Sequence, residues 1–235
     1  MLKLKKIKFE YKNNEVVLDE LDFAIEKNEI VSLIGPSGVG KTTLVNLIAG
    51  YLSDYQGKVI ISGEAKNYPS RKCIVINQEN DLFPWLTVEK QLWLVRKEKQ
   101  KNNELLKLVN LDKYKNKFPH ELSGGMKKRL SFARALASET DFIIMDEPFS
   151  SQDVAMKEKL HRELLDIARR ENKTILLVTH DIDEAITLSN RILVLGGAPA
   201  KIISEHKMPF DKNDLVQGNE VEELKNKLRS IGYNI

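Results

Sequence analysis

The chain opens on alternation. Met1-Leu2-Lys3-Leu4-Lys5-Lys6-Ile7 sets apolar residues against lysines at the two-residue period of a half-buried strand. Further on, the alternation gives way to short unbroken apolar runs: Glu29–Ile34, Cys73–Asn77, Asp141–Met145, Thr174–Thr179 and Arg191–Leu195. Runs of this length, rich in β-branched residues, predict strands buried on both faces. Ala200–Ser204 follows Gly196-Gly197 closely enough to return as a hairpin partner of the last run. Helical spacing separates the runs. Thr42–Ala49 reads as a helix stopped by Gly50, Met126–Leu136 as a second, and Val221–Leu228, with opposite charges in reach, as a third. Strands alternating with helices predict an α/β fold.

Two of the strand ends carry chemistry. The run at Glu29–Ile34 leads straight into Gly35-Pro36-Ser37-Gly38-Val39-Gly40-Lys41-Thr42-Thr43, a complete P-loop pattern in the required strand–loop–helix context. Its glycines let backbone N–H groups converge on phosphates, and the helix N-terminus adds partial positive charge. In this pattern Lys41 reaches the β- and γ-phosphates and the Thr42 hydroxyl ligates Mg²⁺. The run at Asp141–Met145 ends on Asp146-Glu147-Pro148. Ligands of open α/β sheets bind outside the carboxyl ends of strands, so Asp146 can hold Mg²⁺ through water and Glu147 can polarise an attacking water. His180 ends another apolar run and reaches the same sheet edge. Ser123-Gly124-Gly125 opens the helix at Met126, and a hydroxyl with free N–H groups there makes an anion site.

These motifs, in this order, resemble the nucleotide-binding subunit of the ATP-binding cassette (ABC) transporter family over roughly residues 1–205. The resemblance implies a P-loop NTPase core with a mixed sheet, an N-terminal antiparallel β-subdomain and an inserted α-helical subdomain. It divides a single ATPase domain, 1–235, into core segments at about 1–77 and 139–205, a helical subdomain at about 78–138, and a short tail at 206–235. Tyr11 matches the aromatic that stacks on adenine, although strand packing would also account for it. Gln78 matches the glutamine that touches metal and water. Ser123, Gly124 and Gly125 match the signature that meets the γ-phosphate of the opposite subunit, and Ser150–Asp153 matches the D-loop. Met126 stands where the signature has Gln, and Gln152 where the D-loop has Leu. The implied ligands are ATP and Mg²⁺. The implied machine is a dimer, in the simplest case a homodimer, in which each ATP lies between Lys41, Thr42, Gln78, Asp146, Glu147 and His180 of one subunit and Ser123–Gly125 of the other.

A P-loop GTPase would be expected to carry an Asn-Lys-x-Asp base reader, and none occurs. A non-transport ATPase of the same family, such as an iron–sulfur assembly factor, is the alternative. The segment Phe83-Pro84-Trp85-Leu86-Thr87 argues for transport: the resemblance implies that this region lines the groove receiving a permease helix, and aromatic anchors beside a proline suit such an interface. An internal aromatic cluster is the competing reading. This string, with Pro119–Met126, resembles importers for nitrate, sulfonates, taurine or thiamine precursors, which also work with an extracytoplasmic solute-binding protein.

Composition narrows the setting. Lys plus Arg is 37 and Asp plus Glu is 34, a net charge of +3, which demands no nucleic-acid partner. The lone cysteine, Cys73, excludes an intrachain disulfide and suits a reducing compartment. No apolar stretch approaches the roughly 20 residues of a membrane span. The expected location is the cytoplasmic face of the membrane, with the pore formed by other chains.

Overall fold

The computed structural model describes all residues except 13–14, 66–71, 77–81, 139, 150–153, 209–217 and 233–235. In chain order the elements are β1 (Leu2–Glu10), β2 (Val16–Ile25), β3 (Ile30–Ile34), α1 (Lys41–Ala49), β4 (Tyr55–Ile61), β5 (Glu64–Ala65), β6 (Cys73–Ile76), α2 (Val88–Trp93) and α3 (Lys99–Leu108). After them come α4 (Gly124–Ala137), β7 (Phe142–Asp146), α5 (Val154–Arg170), β8 (Thr174–Val178), α6 (Ile182–Leu188), β9 (Arg191–Gly196), β10 (Lys201–Lys207) and α7 (Gly218–Gly232).

The strands divide between two sheets. The alternating β1 pairs with β2 and β4 in a four-stranded antiparallel sheet of order β2-β1-β4-β5. Leu2, Leu4, Ile7 and Phe9 face inward along β1 while the lysines between them face water. The unbroken runs form a six-stranded sheet in the order β10-β9-β3-β8-β7-β6. Its strands from β9 to β6 pair in parallel, and β10 closes one edge as the antiparallel hairpin partner of β9. Every residue of β3, β7 and β8 is buried, as both-face coverage requires. Helices α4 and α5 supply the apolar cover on one face, with Phe132, Leu136, Leu160 and Leu164 against Ile143, Met145, Ile175 and Leu177. On the other face α1 and the antiparallel sheet enclose Val31, Leu33, Ile144 and Leu176. The fold is therefore α/β, as the pattern predicts, with the mixed central sheet and second antiparallel sheet that the family resemblance implies.

Sheet order positions the site. β3, β8 and β7 are adjacent, so their carboxyl ends, and the residues that follow them, emerge side by side. The antiparallel sheet is tied to the central one where the Ala200 N–H donates to the Val17 carbonyl at 2.8 Å and the Asp19 N–H donates to the Ala200 carbonyl at 3.2 Å. That seam carries β2 across the phosphate loop.

Candidate functional site

The loop after β3 is shaped by two glycines that no other residue could replace without movement. A Cβ on Gly35 would lie 2.5 Å from the carbonyl oxygen of Leu195. Gly40 caps α1 at φ 107°, and a Cβ there would meet Val17 at 2.9 Å. The strand thus turns against β9, and the helix starts against β2. Lys41, on the first turn of α1, folds back over the loop. Its Nζ donates to the carbonyls of Gly35 at 2.7 Å and Pro36 at 2.9 Å. Burial pushes the Lys41 ammonium below its ordinary pKa, and the nearby Glu147 and Asp146 pull it back.

The neighbouring strand ends complete a cleft of about 500 Å³ lined by Ser37, Gly38, Gly40, Lys41, Thr42, Thr43, Asp146, Glu147 and His180. Asp146 is buried at the end of β7 and its carboxyl is raised, first by burial and then by the charge of Glu147; Lys41 and a hydrogen bond with Thr42 oppose the shift. Glu147 takes the left-handed conformation, φ 49°, which is costly for a residue with a Cβ. Its N–H donates to the Val178 carbonyl at 2.9 Å, which holds the turn against β8. That turn sets its carboxylate 2.9 Å from Nδ1 of His180. The imidazole is largely exposed, so it can meet a ligand without moving buried neighbours.

Thr42 and Asp146 together present a hydroxyl and a carboxylate at the cleft floor. This hard oxygen set fits Mg²⁺, which keeps several waters and takes one or two protein ligands with the substrate phosphates. No group of three or more His, Cys, Asp or Glu residues gathers as a metal cage among the described residues. Cys73 is half-buried in β6, and burial pushes its thiol up to about 11, which leaves it protonated at neutral pH.

The other expected residues fall in three groups. Tyr11 lies at the end of β1, edge-on to Phe9 with ring centroids 5.0 Å apart, and its hydroxyl shares a 3.0 Å hydrogen bond with Thr43. It is 42% exposed, so strand packing does not account for the whole ring. Ser123 is the N-cap of α4, its Oγ accepting from the Met126 N–H at 3.3 Å. Ser123, Gly124 and Gly125 do not line the cleft of their own chain. Met126 packs against the core beneath α4, which gives the departure from the family's Gln an apolar role. Gln78 and the D-loop, Ser150–Asp153, lie outside the described residues.

Phe83 and Trp85 are both at the surface, Trp85 at 69% exposure, with ring centroids 5.5 Å apart. They do not form an internal cluster. Sequence reasoning missed the residue that holds them. Gln91 on α2 is fully buried; its amide donates to the Phe83 carbonyl at 2.6 Å and the Leu86 carbonyl at 3.3 Å, and its oxygen accepts from the Phe83 N–H at 3.3 Å. A polar residue in register with Val88 and Leu92 on the core face of α2 was the available signal.

The family model for the ABC transporter matches residues 18–150. The aliphatic sulfonates import ATP-binding protein of Bacillus cereus (strain ZK / E33L) is 43% identical over 204 residues, covering 84% of this chain and 81% of that protein. The taurine import ATP-binding protein of Roseobacter denitrificans is 34% identical over 230 residues, covering 93% and 85%. Among solved structures, a bacterial ABC transporter cassette in dimeric form superposes with a TM-score of 0.80 at 29% identity, covering 90% of this chain and 100% of that one. The same cassette in a post-hydrolysis state with ADP and Pi gives 0.78 at 28% identity. A cleft built from a phosphate loop, a strand-end carboxylate pair and a facing histidine, matched along most of its length by ATP-binding subunits, has one explanation: the chain belongs to the ABC transporter family and is an ATPase.

Proposed function

We propose that this chain is the ATP-hydrolysing subunit of an importer, energising uptake of a small anionic or zwitterionic solute of the sulfonate or taurine type through separate permease subunits. The single observation that carries the hydrolytic reading is the Glu147–His180 contact of 2.9 Å at the mouth of the phosphate cleft. The import reading draws on the relatives, which are named as import subunits, and on the exposed Phe83–Trp85 pair.

ATP enters with adenine against Tyr11 and phosphates over the loop 35–42. Lys41 exchanges its bonds to the Gly35 and Pro36 carbonyls for bonds to β- and γ-phosphate oxygens, so the loop is prearranged rather than assembled on binding. Thr42, Asp146 and Gln78 would hold Mg²⁺, which neutralises phosphate charge when bound. Glu147 orients the attacking water, and His180 holds Glu147 in line while facing the γ-phosphate. Ser123, Gly124 and Gly125 of a second copy close the site. We read residues 78–138 as the helical subdomain that carries this signature, and 1–77 with 139–205 as the core. The assembly sits at the cytoplasmic face of a membrane; no helix among the described residues is long and apolar enough to cross one.

Glu147→Gln tests the reading. The amide keeps the shape of the side chain and cannot polarise water. ATP binding is expected to persist and hydrolysis to stop, so that size-exclusion chromatography with ATP and Mg²⁺ shows a trapped dimer. Turnover at the wild-type rate would overturn the role given to Glu147.

A further inference from the structure

Around the residues that flank His180 lies an ion cluster that the reading above does not use. Lys157 on α5 sits between two carboxylates that follow β8. Its Nζ donates to Oδ2 of Asp181 at 2.6 Å and lies 2.8 Å from Oε1 of Glu184. Glu184 is 3% exposed, and its other oxygen accepts from the Thr179 hydroxyl at 2.6 Å. Oγ1 of Thr179 accepts from the Asp181 N–H at 3.0 Å, and Oδ1 of Asp181 accepts from the Glu184 N–H at 3.1 Å. His161, one turn along α5 from Lys157, comes within 3.9 Å of Glu184 and packs edge-on against Phe149.

The circuit encloses one residue. Thr179 and Asp181 are the neighbours of His180 on either side, and both are held by it. His180 itself is exposed and reaches Glu147 at 2.9 Å from between these two residues. A pair of largely buried ions is a poor source of stability, because desolvation offsets much of the attraction. Its value here is geometric. We propose that Lys157 is a positioning residue for His180: through Asp181 and Glu184 it sets the backbone from which the imidazole meets Glu147, and it couples that backbone to α5. The proposal deepens the hydrolytic reading of Glu147 and His180 and rests on it. It adds a residue outside the cleft lining, on the helix that follows the Glu147 strand, whose displacement moves the histidine.

The experiment uses the full chain with Lys157→Met and Lys157→Arg. The chain has four histidines, so two-bond ¹H–¹⁵N spectra resolve each imidazole. In Lys157→Met the His180 signals are expected to shift or broaden while those of His120 and His206 stay; Lys157→Arg restores them. ATP turnover should show kcat falling about ten- to a hundred-fold in Lys157→Met, with KM for ATP held within about two-fold, since a misplaced group costs the chemical step more than binding. Added to His180→Ala, Lys157→Met should cause no further loss. Lys157→Met leaves the buried Glu184 and the half-exposed Asp181 uncompensated, so Lys157→Met with Glu184→Gln, which removes the buried charge and leaves Asp181 to solvent, carries the same expectations if the single variant does not fold. Unmoved His180 signals in a folded variant, or losses that add to those of His180→Ala, would overturn the proposal. Wild-type turnover by His180→Ala would instead overturn the hydrolytic reading, and the spectra would still decide whether Lys157 positions the ring.

Discussion

Asp181 shows how one side chain can serve two masters. It caps α6 through Oδ1 and pairs with Lys157 through Oδ2. Burial alone would push its carboxyl up, but the bonds from Lys157 and the Glu184 N–H hold it below the usual carboxylate range. A depressed folded-state pKa contributes stability above the unfolded value and loses it as pH falls through the folded one. Asp181→Asn keeps the cap and removes the charge. The gap in urea midpoint between wild type and Asp181→Asn should therefore be full at pH 7, and it should narrow as pH drops below about 4, the ordinary Asp value. A gap that widened on acidification would show that the charge is not what Asp181 contributes. Glu147 is a different residue-scale case: its left-handed backbone is strain held where the chemistry is, and the Val178 carbonyl bond keeps it there.

Among the elements, α2 is the least self-sufficient. It has six residues, and a helix that short gains its place from contacts rather than from its own hydrogen bonds. Gln91 supplies those contacts and, with Arg134 of α4 stacked 5.5 Å over the Phe83 ring, fastens the exposed aromatic loop to the signature helix. Gln91→Leu fits the volume but strands the Phe83 N–H and the Leu86 carbonyl and leaves the Phe83 carbonyl with the Leu86 N–H alone, at 3.1 Å. We expect a loss of about 1–3 kcal/mol in urea unfolding, the cost of buried groups left without partners. An unchanged midpoint would mean that water replaces the amide. The strands were far more legible than this helix. β3, β7 and β8 announce themselves as apolar runs, whereas Gln91 matters through partners that no local pattern names.

For the molecule as a whole, the phosphate cleft is lined without Ser123, Gly124 or Gly125 of the same chain. Ser123→Arg should leave ATP affinity of the isolated subunit within about two-fold and abolish the ATP-dependent dimer, because the added side chain blocks the approach of a second copy without touching the phosphate loop. Loss of nucleotide binding by the single subunit would place the signature in the wrong site. Trp85→Ala should weaken co-purification with the cognate permease by roughly 2 kcal/mol or more, the scale of an aromatic anchor, with nucleotide affinity unchanged. An undiminished complex would move the coupling surface elsewhere.

What the sequence determined by itself is what lies close along the chain. The phosphate loop needs only a strand, its glycines and a helix in succession; Asp146 and Glu147 need only the end of an apolar run; Ser123 needs only to precede α4. Nearest-neighbour geometry delivers each of these wherever the element ends up. Tertiary structure alone decided what meets across the chain. β3, β7 and β8 are equally apolar and equally buried, so their pattern does not encode the order β3-β8-β7 that brings Lys41, His180 and Glu147 to one edge. The same holds for Tyr11 on Thr43, for Gln91 beneath Phe83, and for Lys157 between Asp181 and Glu184. Those are polar contacts that exist only once the fold has brought their partners together, and hydrophobic periodicity carries no record of them.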